Sequence, residues 1–135
     1  MDFADLLARY AYAIDSGDWD ALDDVFTPTA TIDYTSAGGI VGPYPEVKKW
    51  LAEVLPHWPG RMHLIGAMTV SHADGEALVK AAFTDALSPS RALVSEGVIQ
   101  GGGWYHHTLV RTPEGWRSRR LVEEQTWRLM LPGRG

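Results

Sequence analysis

The chain has 135 residues, of which 45% are hydrophobic and six are tryptophan, and this length and composition predict one ordered globular domain over residues 1–135. It contains no cysteine, which excludes disulfides, thiolate catalysis and cysteine-ligated zinc. Its net charge of −5 argues against nucleic acid or an anionic membrane surface as a partner.

The N-terminal segment predicts two helices in succession. Apolar residues recur every three or four positions from Phe3 to Asp15, which is the spacing of one helical face. Asp18 is a typical N-cap, so a second and shorter helix is predicted from Trp19 to Phe26. Asp15 lies at the margin of the apolar stripe, where a carboxylate that faces the interior is costly unless it is paired or has a task.

A strand and a third helix are predicted next. Alternating residues from Ala30 to Tyr34 predict a strand with Ile32 and Tyr34 on one face. Pro45 suits the first turn of a helix whose apolar stripe ends at Pro56. Tyr34 is therefore either a core aromatic or a hydroxyl donor that faces a pocket.

The rest of the chain predicts long strands joined by turns. These strands run over Arg61–Ser71, Glu76–Leu87, Val98–Arg111 and Trp116–Trp127. Glycines 101–103 interrupt the third of them, and glycines within a strand favour a bulge or a sharp bend. Early helices and late antiparallel strands predict an α+β domain, in which helices packed on a strongly curved sheet form a cone with an apolar interior.

His63 lies within the first of these long strands and is a natural partner for Asp15. The ordinary histidine pKa near 6.5 suits proton transfer at neutral pH. A carboxylate bonded to one ring nitrogen fixes the tautomer and leaves the other nitrogen as a base. The alternative is that Asp15 bonds nearby backbone at the helix end while His63 is a hydrogen-bonded core residue.

His106 and His107 are adjacent on a predicted strand, so their side chains point to opposite faces. Such a pair cannot readily chelate one metal ion together. The chain also lacks the His-Glu-x-x-His pattern of zinc proteases. No metal site is therefore predicted.

Five segments form a combination that is typical of one family. They are residues 10–22, 25–30, 42–43, 62–66 and 103–116. Together with the order of elements, they resemble the SnoaL-like branch of the NTF2-like superfamily, which includes scytalone dehydratase-like, dehydrochlorinase-like and polyketide cyclase-like proteins. The resemblance extends over nearly the whole chain. It implies an NTF2-like cone, with three N-terminal helices packed on a strongly curved mixed, mainly antiparallel sheet.

The resemblance also implies roles for several residues. In catalytic members of that branch, an Asp and a His at the positions of Asp15 and His63 form a dyad, in which the His is the general base and the Asp orients it. A tyrosine at the position of Tyr34 polarises a substrate oxygen in the scytalone dehydratase-like group. The resemblance favours His106 as the histidine that faces the interior. The further histidine of that group has no counterpart in residues 83–87, which argues against the same dehydration.

Large side chains predict the lining of the cone. A cone built from them favours a small apolar or aromatic ligand, although each of these residues alone is more often plain core. The candidate pocket walls are Tyr12, Phe26, Trp50, Leu64, Met68, Phe83, Trp104 and Trp127.

Two functions follow. The first is a cofactor-independent lyase, isomerase or cyclase that acts on a small cyclic or polyketide-like carbonyl or hydroxyl compound through Asp15, His63, Tyr34 and His106. The second is a non-catalytic protein of the same fold that binds a hydrophobic small molecule or serves as a structural subunit. The resemblance also implies a homodimer through the outer face of the sheet.

A cytoplasmic location is expected. The first residues lack the basic segment and long apolar core of a signal peptide. No stretch approaches the ~20 apolar residues of a membrane-spanning helix. A nucleic acid or membrane partner is not expected.

Overall fold

A computed structural model of the protein describes residues 2–91 and 97–133. The α-helices in these ranges are α1 (Phe3–Ser16) and α2 (Tyr44–Val54), and the shorter 3₁₀ helices are Trp19–Asp24, Thr35–Ala37 and Leu55–His57. The strands are β1 (Phe26–Asp33), β2 (Val41–Pro43), β3 (Gly60–Ala73), β4 (Glu76–Ser88), β5 (Gly97–Thr112) and β6 (Gly115–Pro132). Within these ranges, none of the helices has both the length and the apolar character needed to cross a bilayer.

The six strands form one sheet in the order β2-β1-β6-β5-β4-β3. Strands β1 and β6 run parallel, and every other neighbouring pair is antiparallel. The helical segments all precede β3 in the chain, with β1 and β2 between them, and they pack on this sheet. The structure thus confirms the predicted α+β class, with a mixed and mainly antiparallel sheet.

Helix α1 is capped at both ends. The side chain of Asp2 accepts a hydrogen bond from the backbone N–H of Asp5 at 2.8 Å, and Gly17 ends the helix in the left-handed conformation that glycine adopts without steric cost. Full burial of one large apolar side chain contributes about 1.5–3 kcal/mol, so the apolar face holds α1 on the sheet. The large apolar residues of that face are Leu6, Leu7, Tyr10 and Ile14.

The predicted second helix is shorter than expected. Asp18 accepts from the backbone N–H of Ala21, as an N-cap does, but the helix is of the 3₁₀ type and ends at Asp24. The extension to Phe26 was wrong, because the carbonyl of Val25 accepts from the N–H of Ser118 at 2.7 Å. Pairing with β6 therefore takes over where the helix was predicted to continue, and β1 begins at Phe26.

The glycines of β5 lie where the strand pairing changes register. The pairing of β5 with β6 shifts between Gly102 and Gly103. A Cβ on Gly103 would lie 1.9 Å from the carbonyl oxygen of Glu124, and one on Gly102 would lie 2.4 Å from Nε1 of Trp127. An irregularity is thus present at residues 101–103, as predicted, but its extra residue is Thr126 of β6, and the glycines of β5 pair with β4 without interruption. Beyond Thr126, β6 continues to Pro132, past its predicted end at Trp127.

The core lies between the helices and the inner face of the sheet. Helix α1 contributes its apolar face, and the strands contribute alternate side chains. Almost fully buried strand residues include Ala30, Ile32, Val79, Ala81, Tyr105, Leu109 and Leu121. At the C-terminal end of α1 the packing opens into a cavity, which Ile14 and His63 both line.

Candidate active site

Asp15 and His63 form the contact that the sequence predicts. Asp15 lies in the last turn of α1, and its Oδ1 is 2.6 Å from Nδ1 of His63. Its Oδ2 accepts from the backbone N–H of His63 at 2.8 Å. An ionised carboxylate can only accept, so Nδ1 carries the ring proton and Nε2 is left as the basic nitrogen. The His63 side chain is 9% exposed and Asp15 22%, so the pair is shielded from solvent.

Arg61 holds the start of β3 against the end of α1. Its guanidinium donates to the backbone carbonyl of Ile14 at 2.8 Å, to that of Leu55 at 3.0 Å and to that of Trp58 at 3.3 Å. These three carbonyls lie at or near the ends of helical segments, where fewer backbone N–H groups of the helix are available to bond them. Arg61 therefore fixes the strand that carries His63 relative to the helix that carries Asp15.

A second carboxyl group lies near the other ring nitrogen. Asp85 is the cross-strand partner of His63 in β4, and its Oδ2 is 3.6 Å from Nε2 of His63. This distance is too long for a direct hydrogen bond, but at such a distance a negative charge stabilises a protonated imidazole. Burial raises the pKa of Asp85, while His63 and Arg128 act to lower it. Asp85 was not among the site residues predicted from the sequence, although it lies within residues 83–87.

His63 and Asp85 line a cavity of about 210 Å³. The wall beside the helices and loops is apolar, which suits a ligand with a hydrocarbon body. Its large apolar residues are Ile14, Trp50, Leu51, Val54, Leu55, Trp58, Leu87 and Ile99. The polar residues of the lining include Tyr10, Tyr34, Tyr105, Glu123, Gln125 and Arg128.

Three tyrosines bring hydroxyl groups to this cavity. The hydroxyls of Tyr10 and Tyr34 hydrogen-bond to each other, and burial raises the pKa of both well above the ordinary value. The Tyr105 hydroxyl is also buried, and in the part of the chain that the structure describes it meets no hydrogen-bond partner. Tyr34 therefore lines the cavity, as predicted from the sequence, but its hydroxyl is shared with Tyr10.

Glu123 is the second buried acid of the cavity and is 7% exposed. Burial raises its pKa to about 7, and Asp85 adds to this effect, while His63, Tyr105 and Arg128 oppose it. The neutral acid form of Glu123 is thus accessible near neutral pH. Glu123 was not among the site residues predicted from the sequence. Alternation along β6 could have found it, because Glu123 shares a face with the buried Leu121.

The two adjacent histidines face opposite ways, as predicted, but the inward one is His107. Nδ1 of His107 is 2.8 Å from the Ser118 hydroxyl within the core, and burial lowers its pKa to about 3. His106 lies outside, where its Nε2 is 2.8 Å from Glu124. The assignment of His106 to the site was therefore wrong. Across residues 2–91 and 97–133, no group of three or more His, Asp or Glu side chains is placed to hold a metal ion.

Among the predicted pocket walls, Trp50 lines the cavity. Phe26 and Phe83 are buried in the core, where Phe83 stacks on Tyr105 with ring centroids 4.1 Å apart. Met68 packs against that core and is partly buried. None of these three residues lines the cavity, so their assignment to its wall was wrong, because the core encloses them.

The other four predicted walls lie away from the cavity. Tyr12 is 75% exposed and Leu64 is 59% exposed, and strand alternation alone places Leu64 opposite to His63. Trp127 is 46% exposed and shares an outer depression with Leu64. Trp104 lies under the ammonium group of Lys80. Their assignment to the pocket was wrong, because each of them points away from the interior.

The chain is similar to several known proteins. The SnoaL-like domain family matches residues 2–122. The uncharacterized protein Rv2910c of Mycobacterium tuberculosis is 38% identical over 140 residues, which cover 97% of this chain and 88% of that protein. The uncharacterized protein Mb2934c of Mycobacterium bovis matches with the same identity and coverage.

Solved structures share the fold. Kfla4162 from Kribbella flavida has a TM-score of 0.82 at 22% identity, over 93% of this chain and 89% of that one. A hexachlorocyclohexane dehydrochlorinase, LinA type 2, has a TM-score of 0.80 at 14% identity, over 97% of this chain and 87% of that one. At these identities the likeness establishes the fold alone.

Proposed function

The chain belongs to the SnoaL-like domain family, and we propose on that basis that it is a cofactor-independent enzyme of the lyase, isomerase or cyclase type. It would remove a proton from a small, largely apolar carbonyl or hydroxyl compound. The observation that carries this proposal is the 2.6 Å contact between Asp15 Oδ1 and His63 Nδ1 at the wall of the cavity. That contact leaves a basic nitrogen available for proton transfer.

In the proposed step, Nε2 of His63 takes a proton from a carbon of the substrate. The electron pair of the broken C–H bond forms a carbon–carbon double bond. In an elimination, the leaving group on the neighbouring carbon departs with its bonding pair as this double bond forms. In an isomerisation, the π pair of an adjacent carbonyl group moves onto oxygen instead, and the carbonyl re-forms when the proton returns to another carbon. Asp15 stabilises the imidazolium that forms, and Asp85 adds a second negative charge 3.6 Å from Nε2.

The comparisons support the class of reaction and not a substrate. One protein of the same fold is named as a dehydrochlorinase, which is an elimination enzyme. The apolar wall around Trp50, Leu51 and Trp58 favours a ligand with a hydrocarbon body.

Solvent deuterium incorporation tests the proposal. Small cyclic ketones would be incubated with the protein in heavy water, and the deuterium content of each ketone would be followed by mass spectrometry. We expect His63→Gln to lose about 10²- to 10⁴-fold in exchange rate, the usual contribution of a general base. His106→Gln is the matched control, because His106 lies on the outer face, and it should exchange like the wild type. Equal exchange in His63→Gln and the wild type would contradict the mechanism.

The apolar wall of the cavity also favours a second candidate function, which is binding of a hydrophobic small molecule without turnover. The two functions differ in one observable. A ligand that binds in the cavity and never exchanges a proton, with or without His63, supports the binding function.

We also propose that the outer face of the sheet pairs with a second copy of the chain. Met62, Leu64 and Trp127 are exposed there and line one depression, and exposed apolar patches of this kind mark interfaces. Light scattering on the wild type should give the mass of a dimer, and Leu64→Asp should give that of a monomer. A monomeric wild type would refute the pairing.

A further inference from the structure

The cavity has a second polar region that the dyad does not use. Glu123 on β6 and Tyr105 on β5 are cross-strand partners, so their side chains lie side by side on the inner face of the sheet. Glu123 is 7% exposed and Tyr105 is 1% exposed. Both line the same cavity as His63.

We propose that Glu123 in its acid form and the Tyr105 hydroxyl donate hydrogen bonds to the carbonyl oxygen of the ligand. Glu123 and Tyr105 together form the acid pair. The substrate class is then a neutral carbonyl compound that carries a hydrogen on the carbon next to the carbonyl group. The inference rests on the proposed function, since it assigns the substrate class to the same cavity.

The Tyr105 hydroxyl supplies the first observation. A buried hydroxyl without an acceptor costs about 1–3 kcal/mol, and such groups are rare in folded proteins. Tyr10 and Tyr34 satisfy each other, whereas the Tyr105 hydroxyl makes no hydrogen bond of ordinary length among the described residues, although it interacts with its neighbours Tyr10 and Glu123. A ligand oxygen in the cavity would accept this hydrogen bond.

The surroundings of Glu123 supply the second observation. The ionisable groups that act on it or respond to it are Asp85 from β4, His63 from β3, Tyr105 from β5, Tyr10 from α1, Tyr34 next to β1, and Arg128 from its own strand. Burial and the negative charge of Asp85 favour the neutral acid, and the pKa of Glu123 is raised to about 7. A neutral carboxylic acid carries an O–H and can donate, whereas a carboxylate can only accept.

The charge of Asp85 selects against anionic ligands. A ligand carboxylate would face the Asp85 carboxylate in a buried space, where like charges repel strongly. A neutral ketone or aldehyde avoids this repulsion and gains two donors at its oxygen.

The arrangement fits proton removal next to a carbonyl group. His63 takes the proton, the C–H electron pair becomes part of a carbon–carbon double bond, and the carbonyl π pair moves onto oxygen. The oxygen gains negative charge and is stabilised by the acid pair. Donors that point at developing charge in a buried site are among the largest contributions to catalysis.

The probe for this inference is 4-(dimethylamino)benzaldehyde. It has no hydrogen on the carbon next to the carbonyl group, so the proposed reaction cannot consume it. Its absorption band moves to longer wavelength when the carbonyl oxygen accepts hydrogen bonds. With the wild type at pH 6 we expect a red-shifted bound spectrum. The shift should fade as the pH rises through about 7, because Glu123 loses the proton that it donates.

Three variants separate the contributions. Glu123→Gln keeps a neutral N–H donor, so its red shift should persist without the change near pH 7. Tyr105→Phe should give a smaller shift at every pH and about two- to tenfold weaker binding, the range for one hydrogen bond. Glu124→Gln is the matched control, because Glu124 is exposed and bonds His106, and it should behave like the wild type.

Three results would overturn the inference: no binding of the aldehyde in equilibrium dialysis, a bound spectrum without a shift, or an unchanged pH dependence in Glu123→Gln. Its failure can be distinguished from failure of the proposed function. If ketones exchange no deuterium but the aldehyde spectra follow the expected pattern, the catalytic proposal is wrong and the carbonyl site stands.

Discussion

Replacing Asp15 by asparagine changes where the ring proton of His63 resides. In the wild type, Asp15 accepts from the backbone N–H of His63 at 2.8 Å and from ring Nδ1 at 2.6 Å. Asparagine offers one acceptor oxygen and one NH₂ group. The backbone N–H can only donate, so it takes the amide oxygen. The NH₂ group then faces Nδ1 and donates to it, which moves the ring proton to Nε2.

That tautomer has no base at the nitrogen that faces the cavity. In Ser-His-Asp triads, the same change of carboxylate to amide lowers kcat about 10⁴-fold through the wrong tautomer. We therefore expect Asp15→Asn to lose about 10³- to 10⁴-fold in deuterium exchange, or about 4–5 kcal/mol in activation free energy. Stability should fall by only about 1 kcal/mol, because both hydrogen bonds are replaced rather than removed.

Two measurements check this prediction. The ¹⁵N chemical shifts of the imidazole report which nitrogen is protonated, and they require no substrate. The exchange rate on a cyclic ketone reports the loss of the base. Asp20→Asn is the matched control, because the Asp20 side chain is 91% exposed. If Asp15→Asn keeps an unprotonated Nε2, or if its exchange rate stays within threefold of the wild type, the reasoning about the tautomer is refuted.

Three further predictions concern stability. Burial, with a smaller effect of His106, lowers the pKa of His107 to about 3, so the unfolded state binds a proton that the native state lacks as the pH falls below 6.5. Relative to His107→Gln, the wild type should lose on the order of 2 kcal/mol between pH 7 and pH 5 in urea unfolding, at about 1.4 kcal/mol per pKa unit; equal losses would contradict this. Gly103→Ala should cost about 3 kcal/mol or more, because its Cβ would lie 1.9 Å from the Glu124 carbonyl oxygen, whereas the Cβ of Gly66→Ala would meet its nearest neighbour at 3.8 Å. Similar melting temperatures for these two glycine variants would refute the clash. Tyr34→Phe leaves the Tyr10 hydroxyl without its Tyr34 partner and should lower the free energy of unfolding by about 1–3 kcal/mol. A urea midpoint equal to that of the wild type would contradict this expectation.

The dyad could be predicted because each member sits in a local pattern. Asp15 ends a stripe of apolar residues with helical spacing, and His63 lies in an apolar strand. Family resemblance then supplied the pairing, which no spacing in the chain could give. Asp85 and Glu123 escaped prediction because their importance comes from burial beside each other, and burial depends on how strands pair.

Bulges explain why the inward faces of the strands were partly misassigned. Alternation in β6 puts Leu121 and Glu123 on the inner face, and simple counting would put Trp127 there too. The register with β5 shifts so that Gly102 pairs with Trp127 and Gly103 with Gln125. Thr126 is the extra residue between Gln125 and Trp127, and it turns Trp127 outward and Arg128 inward. An extra residue of this kind reverses the facing of every side chain beyond it, and no local pattern marks it in β6.

The charges around the cavity match the direction of the proposed proton transfer. Asp15 and Asp85 flank His63 on its two nitrogens, so a positive imidazolium would form between two negative charges. At the acid pair, the raised pKa of Glu123 supplies a donor, so a negative oxygen would form beside hydrogen-bond donors. Proton transfer from carbon to His63 therefore creates each charge where the protein already stabilises it, and little reorganisation is needed. A ligand of the opposite polarity, with a cation beside the acid pair, would gain nothing from the O–H of Glu123 or Tyr105. The proposed acid pair thus matches a ligand oxygen that gains negative charge during the reaction, whereas an ammonium group would call on the carboxylate charges of the cavity instead.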